Sequence, residues 1–159
     1  MVKIRIVAVG KIREKYLAEA IGEYQKRLGR FCSLEIAEAA EARNLREGDP
    51  ACVDRQLLEE AAAIRRRIAP GAYLIAADAG GEELGSEEFA AKLRSVMERP
   101  GGVAFVVGGS NGLHPDVKRL ADYRLSMSRM TFPRQLARLI LMEQIYRAFK
   151  IIGNESYHK

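Results

Sequence analysis

The sequence contains no tryptophan, two cysteines and two histidines. Cys32 and Cys52 form no CxxC pair and have no clustered histidine beside them, which argues against a disulfide framework or a zinc site. No run of about eighteen uncharged apolar residues occurs. The first ten residues carry two charges and no small-residue cleavage pattern, so we expect neither secretion nor a membrane span. A reducing, cytoplasmic location is the natural expectation.

The composition is that of an ordinary globular protein. The chain has 159 residues, of which 48% are hydrophobic and 30% charged. This length falls within the usual size of one domain, and it is long enough to bury a substantial core. We therefore expect a single domain that spans residues 1–159.

Positive charge is concentrated at the C-terminal end. Residues 117–159 hold nine Lys and Arg against three Asp and Glu, whereas residues 1–116 hold 17 against 18. Such asymmetry favours a polyanionic partner, and nucleic acid is favoured over a membrane because no aromatic anchor accompanies the charge. Arg119, Arg124 and Arg138 are the expected phosphate contacts. The alternative is a merely basic, solvated surface.

Hydrophobic periodicity predicts alternating strands and helices. The segments VKIRIVAV at 2–9 and VAFVV at 103–107 are typical of strands buried on both faces. Further strands are predicted at 33–39, 72–77 and 123–127, and the strand at 72–77 is expected to end at Asp78. Helices are predicted from Tyr16 to Leu28, from Pro50, from Ser86, from Pro115 and from Arg134 to about Ile152. This alternation predicts an α/β fold with a mainly parallel sheet covered on both faces, whose ligands bind beyond the carboxyl ends of the strands.

The last predicted helix is apolar around its whole circumference. One small domain can rarely cover such a terminal helix completely. Part of its surface is therefore expected to form the interface of a two-fold homodimer. The alternative is a central core helix in a monomer.

The segment GGSNGL at 108–113 follows a buried strand directly. It lacks the spacing of a dinucleotide fingerprint and the Lys and Ser/Thr of a P-loop. Its bare backbone suits close contact with a ligand, and a structural tight turn explains it equally well. Neither a nucleophilic triad nor a metal-binding motif is recognisable, so no metal is expected.

The C-terminal segment NESYHK combines hydrogen-bonding, aromatic and cationic groups. A frayed terminus is the usual explanation. Because a buried helix precedes it, the segment could also be held in place. Tyr157 and His158 could then stack on bases and bond their edges.

Several segments together resemble one family. They are KIRIVAVGK at 3–11, EYQKRL at 23–28, VVGGSNGLH at 106–114, LSMSRMTFP at 125–133, EQIYRAFKI from Glu143, and the final YHK. The chain resembles the ribosomal RNA large subunit methyltransferase H family of SPOUT methyltransferases. The resemblance implies transfer of a methyl group from S-adenosylmethionine to N3 of a pseudouridine in large-subunit (23S) ribosomal RNA, on the assembled ribosome. It also implies a homodimer and a deep trefoil knot near the C-terminus, which is a rare exception to ordinary topology.

Site residues follow from the same resemblance. The methyl donor would be bound by Ala77, Gly108, Gly109, Met127, Ser128, Arg129, Met130, Thr131 and Phe132. Other members often carry a larger aliphatic residue where this chain has Ala77, which implies a looser apolar contact there. The implied catalytic or substrate-binding residues are Glu143, Arg147, Tyr157 and His158. The N3 proton could pass to Glu143, Tyr157 or His158, with Arg147 as an electrostatic partner.

Two other functions remain open on the sequence. A non-catalytic ribosome-binding assembly factor would share the basic C-terminal segment and need no methyl donor. A related SPOUT methyltransferase that acts on transfer RNA would bind the donor and methylate a different RNA.

Overall fold

The computed structural model describes residues 1–43 and 46–157, and these form an α/β sandwich. The elements are β1 (Val2–Val9), α1 (Lys15–Leu28), β2 (Cys32–Ala39), α2 (Pro50–Arg65), β3 (Tyr73–Glu83), α3 (Ser86–Val96), β4 (Val103–Val107), α4 (Pro115–Leu120), β5 (Tyr123–Ser126) and α5 (Arg134–Ile152). The five strands form one sheet in the order β2-β1-β4-β3-β5, and all four pairings are parallel. The predicted fold class is confirmed.

Alternating residues of the strands build two cores, one on each face of the sheet. Ile4, Ile6 and Phe105 pack with α1, α3 and α5 on one face. Val7 and Val106 pack with α2 and α4 on the other face. All five residues of β4, the middle strand, are buried. This is why β1 and β4 appear in the sequence as near-continuous apolar runs.

Short-range signals set the starts of three helices. The Asp49 carboxylate accepts a hydrogen bond from the backbone N–H of Ala51, and Pro50 occupies the first turn of α2. The Glu88 carboxylate accepts from the N–H of Gly85 at the start of α3. His114 Nδ1 accepts from the N–H of Asp116 at 3.0 Å, so this histidine caps α4.

Strand β3 extends further than the sequence indicates. The predicted strand ends at Asp78, but β3 continues to Glu83. Its pairing with β5 shifts register between Ala77 and Glu82, so the intervening residues bulge from the ladder. A Cβ on Gly81 would lie 2.6 Å from the carbonyl oxygen of Arg124. Glycine at this position therefore permits close contact between the strands beyond the predicted strand end.

Helix α5 lies against α1 and α3 and is only partly covered by them. Leu141, Met142 and Ile145 are buried, while Leu136 is 36% exposed and Leu139 is half-buried. The expected dimer interface on this helix stays a prediction. No helix within 1–43 and 46–157 combines the length and the apolar character that a membrane crossing requires.

Two charged side chains are buried near the carboxyl ends of the strands. Arg138, 4% exposed, donates hydrogen bonds to Glu38 Oε2 at 3.1 Å and to the carbonyl oxygen of Gly10 at 2.9 Å. Glu60, 3% exposed, has no hydrogen-bond partner for either carboxylate oxygen among the described residues. Burial, reinforced by the charge of Glu41, raises the pKa of Glu60 to about 7, although the charge of Arg134 acts in the opposite direction.

We predict that Glu60 makes the fold less stable as the pH rises. The pKa of Glu60 is about 7 in the folded chain and 4.5 as its ordinary value. Between these two pH values the folded chain holds a proton on Glu60 that the unfolded chain has lost. The stabilisation is therefore lost as the pH rises through the folded-state pKa of about 7. The Glu60→Gln variant should therefore unfold at higher denaturant concentration than the wild type at pH 8, and this advantage should disappear toward pH 5.

Glu59→Gln, a change at the exposed neighbouring position, provides the control. Denaturant unfolding of all three proteins across this pH range measures the effect. An equal response of the Glu60 and Glu59 variants would contradict the prediction.

Candidate functional site

A cavity of about 710 Å³ lies at the carboxyl ends of β3, β4 and β5, and we call it the strand-end cavity. The ladder between β3 and β4 ends at the pair Ala76 and Val106, and the cavity lies beyond this point. The loop that joins β5 to α5 and the first turn of α5 complete its wall. Its volume is within the usual range of small-molecule sites.

Eight of the nine residues expected to bind the donor line this cavity. They are Ala77, Gly108, Gly109, Met127, Ser128, Met130, Thr131 and Phe132. Three segments that are distant in the sequence therefore meet in one place. Arg129 is the exception, because its side chain is 89% exposed and forms an ion pair with Glu83 instead of lining the cavity.

The glycine loop is a tight turn that also forms a wall of the cavity. A Cβ on Gly108 would collide with the backbone carbonyl of Gly112, and Gly112 itself has a φ of +76°. Asn111 Nδ2 donates to Gln56 Oε1 at 3.0 Å, which anchors the loop to α2. The interpretation of GGSNGL as a tight turn is confirmed, and this turn presents backbone without side chains to the cavity. Ligand binding by this loop stays a prediction.

The loop after β5 is held by its two serines. Ser126 Oγ donates to the carbonyl oxygen of Ser128 at 3.1 Å, and Ser128 Oγ accepts from the backbone N–H of Met130 at 2.9 Å. Both hydroxyls therefore take part in local turn hydrogen bonds. Met130 is left 76% exposed beside the cavity.

Two charged residues of the lining, Asp78 and Arg134, were not among the predicted site residues. Asp78 lies within 3.4 Å of both Lys118 Nζ and Arg124 Nη1, and its side chain is only 8% exposed. Arg134 forms an ion pair with Glu41 from the segment after β2. The position of Asp78 at the end of a predicted strand was an available signal, whereas no sequence pattern connects Arg134 with Glu41.

Three of the four expected catalytic residues, Glu143, Arg147 and Tyr157, form a separate group that we call the α5 cluster. Glu143 Oε1 accepts hydrogen bonds from Arg147 Nε at 3.0 Å and Nη2 at 2.6 Å, and from the Tyr157 hydroxyl at 3.3 Å. The Tyr157 ring packs edge-on against Tyr146, with centroids 5.0 Å apart. His158 lies outside the described residues.

The cluster is distinct from the strand-end cavity. None of Glu143, Arg147 and Tyr157 lines that cavity. Burial, a hydrogen bond with Tyr24 and the charge of Glu143 raise the pKa of Tyr157 to about 12. The Tyr157 hydroxyl therefore keeps its proton at neutral pH and acts as a hydrogen-bond donor.

The described titratable side chains do not cluster in the way that a metal site requires. Among the described residues, no group of three or more His, Cys, Asp or Glu side chains could hold a metal ion. Asp78 and Glu41, two carboxylates of this region, are instead paired with Arg and Lys.

Comparisons with known proteins cover almost the whole chain. The family described as "Predicted SPOUT methyltransferase" matches residues 2–158. The ribosomal RNA large subunit methyltransferase H of Ruminiclostridium cellulolyticum is 48% identical over 158 residues, which are 99% of each protein. Its counterpart in Acetivibrio thermocellus is 46% identical over 161 aligned residues, again 99% of each.

A solved structure supports the fold alone. The crystal structure of a probable methyltransferase from Bordetella pertussis is 13% identical and has a TM-score of 0.54, with 93% of this chain and 95% of that chain covered. The family match and the two relatives extend over the strand-end cavity and the α5 cluster alike. The chain belongs to the SPOUT methyltransferase family.

Proposed function

We propose that the chain transfers a methyl group from S-adenosylmethionine to N3 of a pseudouridine in large-subunit ribosomal RNA, on the assembled ribosome. The observation that carries this proposal is the strand-end cavity, where eight of the nine residues implied by the family resemblance meet. The names of relatives at 46–48% identity over nearly their full lengths give the substrate class. Membership of the SPOUT family supports the methyltransferase activity and implies the C-terminal knot.

The residues of the cavity suit this donor. Apolar side chains at Val107, Leu125 and Phe132 offer walls for a flat heterocycle, and the bare backbone of Gly108 and Gly109 permits close approach. The Asp78 carboxylate supplies a negative group on the same lining. S-adenosylmethionine, when bound, supplies a methyl group already activated by its sulfonium. The protein therefore has mainly to align the acceptor, and alignment can contribute about 7–11 kcal/mol of barrier reduction.

The acceptor nitrogen must lose a proton, and the α5 cluster offers groups for this step. Glu143 is a carboxylate held in place by Arg147, so it can accept a proton or a hydrogen bond from the base. Tyr157, which keeps its proton, acts as a hydrogen-bond donor. The acceptors we propose are thus Glu143 and His158, while Arg147 stabilises negative charge on the base.

We further propose that the single domain 1–159 works as a homodimer with an active site shared between two chains. Two observations support this arrangement. No residue of the α5 cluster lines the strand-end cavity of the same chain. Helix α5 also leaves apolar side chains such as Leu136 partly exposed. A two-fold axis beside α5 would bring the cluster of one chain to the cavity of its partner.

The substrate assignment is tested by incubating the protein with labelled S-adenosylmethionine and four acceptors. These are free large-subunit ribosomal RNA, large subunits, whole ribosomes and transfer RNA. We expect label at N3 of one pseudouridine in the large-subunit RNA of whole ribosomes. Label only in transfer RNA would identify a different SPOUT methyltransferase, and ribosome binding without donor binding would identify an assembly factor.

We predict that Ala79→Trp abolishes donor binding without unfolding the protein. Ala79 is exposed and lines the cavity, so an indole there fills ligand space and displaces no core side chain. Calorimetric titration with S-adenosylmethionine should show at least a roughly hundredfold loss of affinity, about 2.7 kcal/mol. Ala62→Trp, on an exposed face of α2, is the matched control and should bind normally. Unchanged donor affinity in Ala79→Trp would remove this cavity from the proposal.

The shared site predicts complementation between two inactive variants. One is Ala79→Trp, and the other ends at Ser156 and so lacks the Tyr157 hydroxyl that contacts Glu143. After co-refolding in equal amounts, about half of the dimers are mixed, and each mixed dimer has one intact site. About a quarter of wild-type activity should therefore return. If cavity and C-terminal segment served the same site within one chain, the mixture would stay inactive while size-exclusion chromatography still showed dimers.

A further inference from the structure

The described Lys and Arg side chains of the basic stretch from residue 117 to residue 157 are already paired within the chain. All eight described Lys and Arg side chains between 117 and 157 lie within ion-pair distance of a carboxylate, as the pairs Lys118–Asp78, Arg119–Asp116, Arg124–Asp78, Arg129–Glu83, Arg134–Glu41, Arg138–Glu38, Arg147–Glu143 and Lys150–Glu155 show. Arg138 is buried, so its expected role as a phosphate contact is wrong. Phosphate contact at Arg119 or Arg124 would compete with a carboxylate that offsets the positive charge. Cations outside these pairs are therefore needed to give the RNA surface a net positive charge.

A second cavity, of about 920 Å³, lies beside the strand-end cavity. It opens at the carboxyl ends of β1 and β2, and we call it the β1–β2 cleft. Ser110 and Arg134 line both cavities, so they form a wall between the two spaces. RNA that presents a base to the strand-end cavity would place its neighbouring nucleotides next to this wall.

The cleft has a surplus of positive charge. Two of its carboxylates are neutralised from α5, Glu38 by Arg138 and Glu41 by Arg134. Lys11 and Arg13 also line the cleft and are exposed. Neither forms an ion pair within the described residues, although the charge of Arg13 adds to the effect of Arg134 in lowering the pKa of Glu41. Arg67 also lines the cleft, and its guanidinium donates to the backbone carbonyls of Glu38 at 3.0 Å and Ala63 at 2.8 Å, so its charge is not cancelled by these bonds.

The inner wall of the cleft is firmly held. Gly10 has a φ of +89°, and the Arg134 guanidinium lies 3.1–3.3 Å from the position that a Cβ would occupy. The Gly10 N–H donates to Ala39 at 2.8 Å, and its carbonyl accepts from Arg138. Lys11 therefore follows a residue whose N–H and carbonyl groups are both hydrogen-bonded. Its own side chain is exposed to solvent.

We propose that the β1–β2 cleft binds the RNA phosphate backbone next to the methylated nucleotide, with Lys11 and Arg13 as the phosphate contacts. This inference rests on the proposed function, in which the donor occupies the adjoining strand-end cavity. Exposed cations without carboxylate partners release counterions when they bind phosphates, which gives salt-dependent affinity. The wall of Ser110 and Arg134 separates the phosphates in the cleft from the strand-end cavity that the base enters.

The test compares the double variant Lys11→Gln/Arg13→Gln with a matched control, Lys3→Gln/Arg65→Gln. The control removes the same charge at the opposite edge of the sheet, since Lys3 is at the start of β1 and Arg65 ends α2. Binding to whole ribosomes and to free large-subunit ribosomal RNA is measured without donor over a range of salt concentrations. Donor binding is measured separately by calorimetry with S-adenosylmethionine.

We expect the Lys11/Arg13 variant to bind RNA more weakly than the control. The slope of log affinity against log salt should become shallower by about 1.4–1.8, because two phosphate contacts are lost. Donor affinity should equal that of the wild type. Equal RNA binding by the two variants, or a loss of donor affinity in the Lys11/Arg13 variant alone, would overturn the cleft assignment. Failure of the wild type to bind the donor would instead overturn the proposed function, and the RNA titrations would still decide the role of the cleft.

Discussion

The parallel direction of all five strands is the constraint on which the functional geometry depends. Because every pairing is parallel, the carboxyl ends of the strands lie along one edge of the sheet, and the loops that follow them are neighbours. Both cavities open at this edge. A sheet of this kind must be covered on both faces, which explains why so much of a short chain is devoted to helices.

The start of α5 connects this edge to the rest of the molecule. Arg134 and Arg138 are one helical turn apart, so both face the ends of β1 and β2. Arg138 is hydrogen-bonded below the surface, and Arg134 packs on Gly10 and pairs with Glu41. The same helix then carries Glu143 and Arg147 further along its length. Helix α5 thus contributes to both candidate sites and to the support beneath them.

Much of the fold could be predicted because local patterns and burial agree. The strands at 2–9 and 103–107 are buried on both faces, and helices α2, α3 and α5 begin where they were expected, at Pro50, Ser86 and Arg134. Composition and spacing favoured a nucleic-acid partner and a ligand at the strand ends, whereas the donor and the residues that bind it came from the family resemblance. Within the site, the resemblance located the cavity but not Arg129, whose side chain is exposed.

What could not be predicted depends on contacts between distant segments. The continuation of β3 past Asp78 requires β5 as a partner. The need for glycine at position 81 is visible only when the backbone of Arg124 packs beside it. The distribution of charge along the chain suggested a free basic patch, but the described cations of residues 117–157 are paired with carboxylates, most of them from other parts of the fold. The β1–β2 cleft combines residues from six separate stretches, so no local pattern could indicate it.

The wall formed by Ser110 and Arg134 has a thermodynamic consequence. Under the proposed assignments, ligands on its two sides would contact the same two residues, so occupancy of one space would change the free energy of filling the other. Such linkage is reciprocal: the factor by which RNA alters the dissociation constant of the methyl donor equals the factor by which the donor alters that of RNA. With separate openings, either molecule can arrive first, and the coupling factor is the same for both orders. If RNA and donor each raise the affinity of the other, the complex of all three molecules is stabilised without a compulsory order of binding. If each lowers the affinity of the other, the same coupling promotes dissociation.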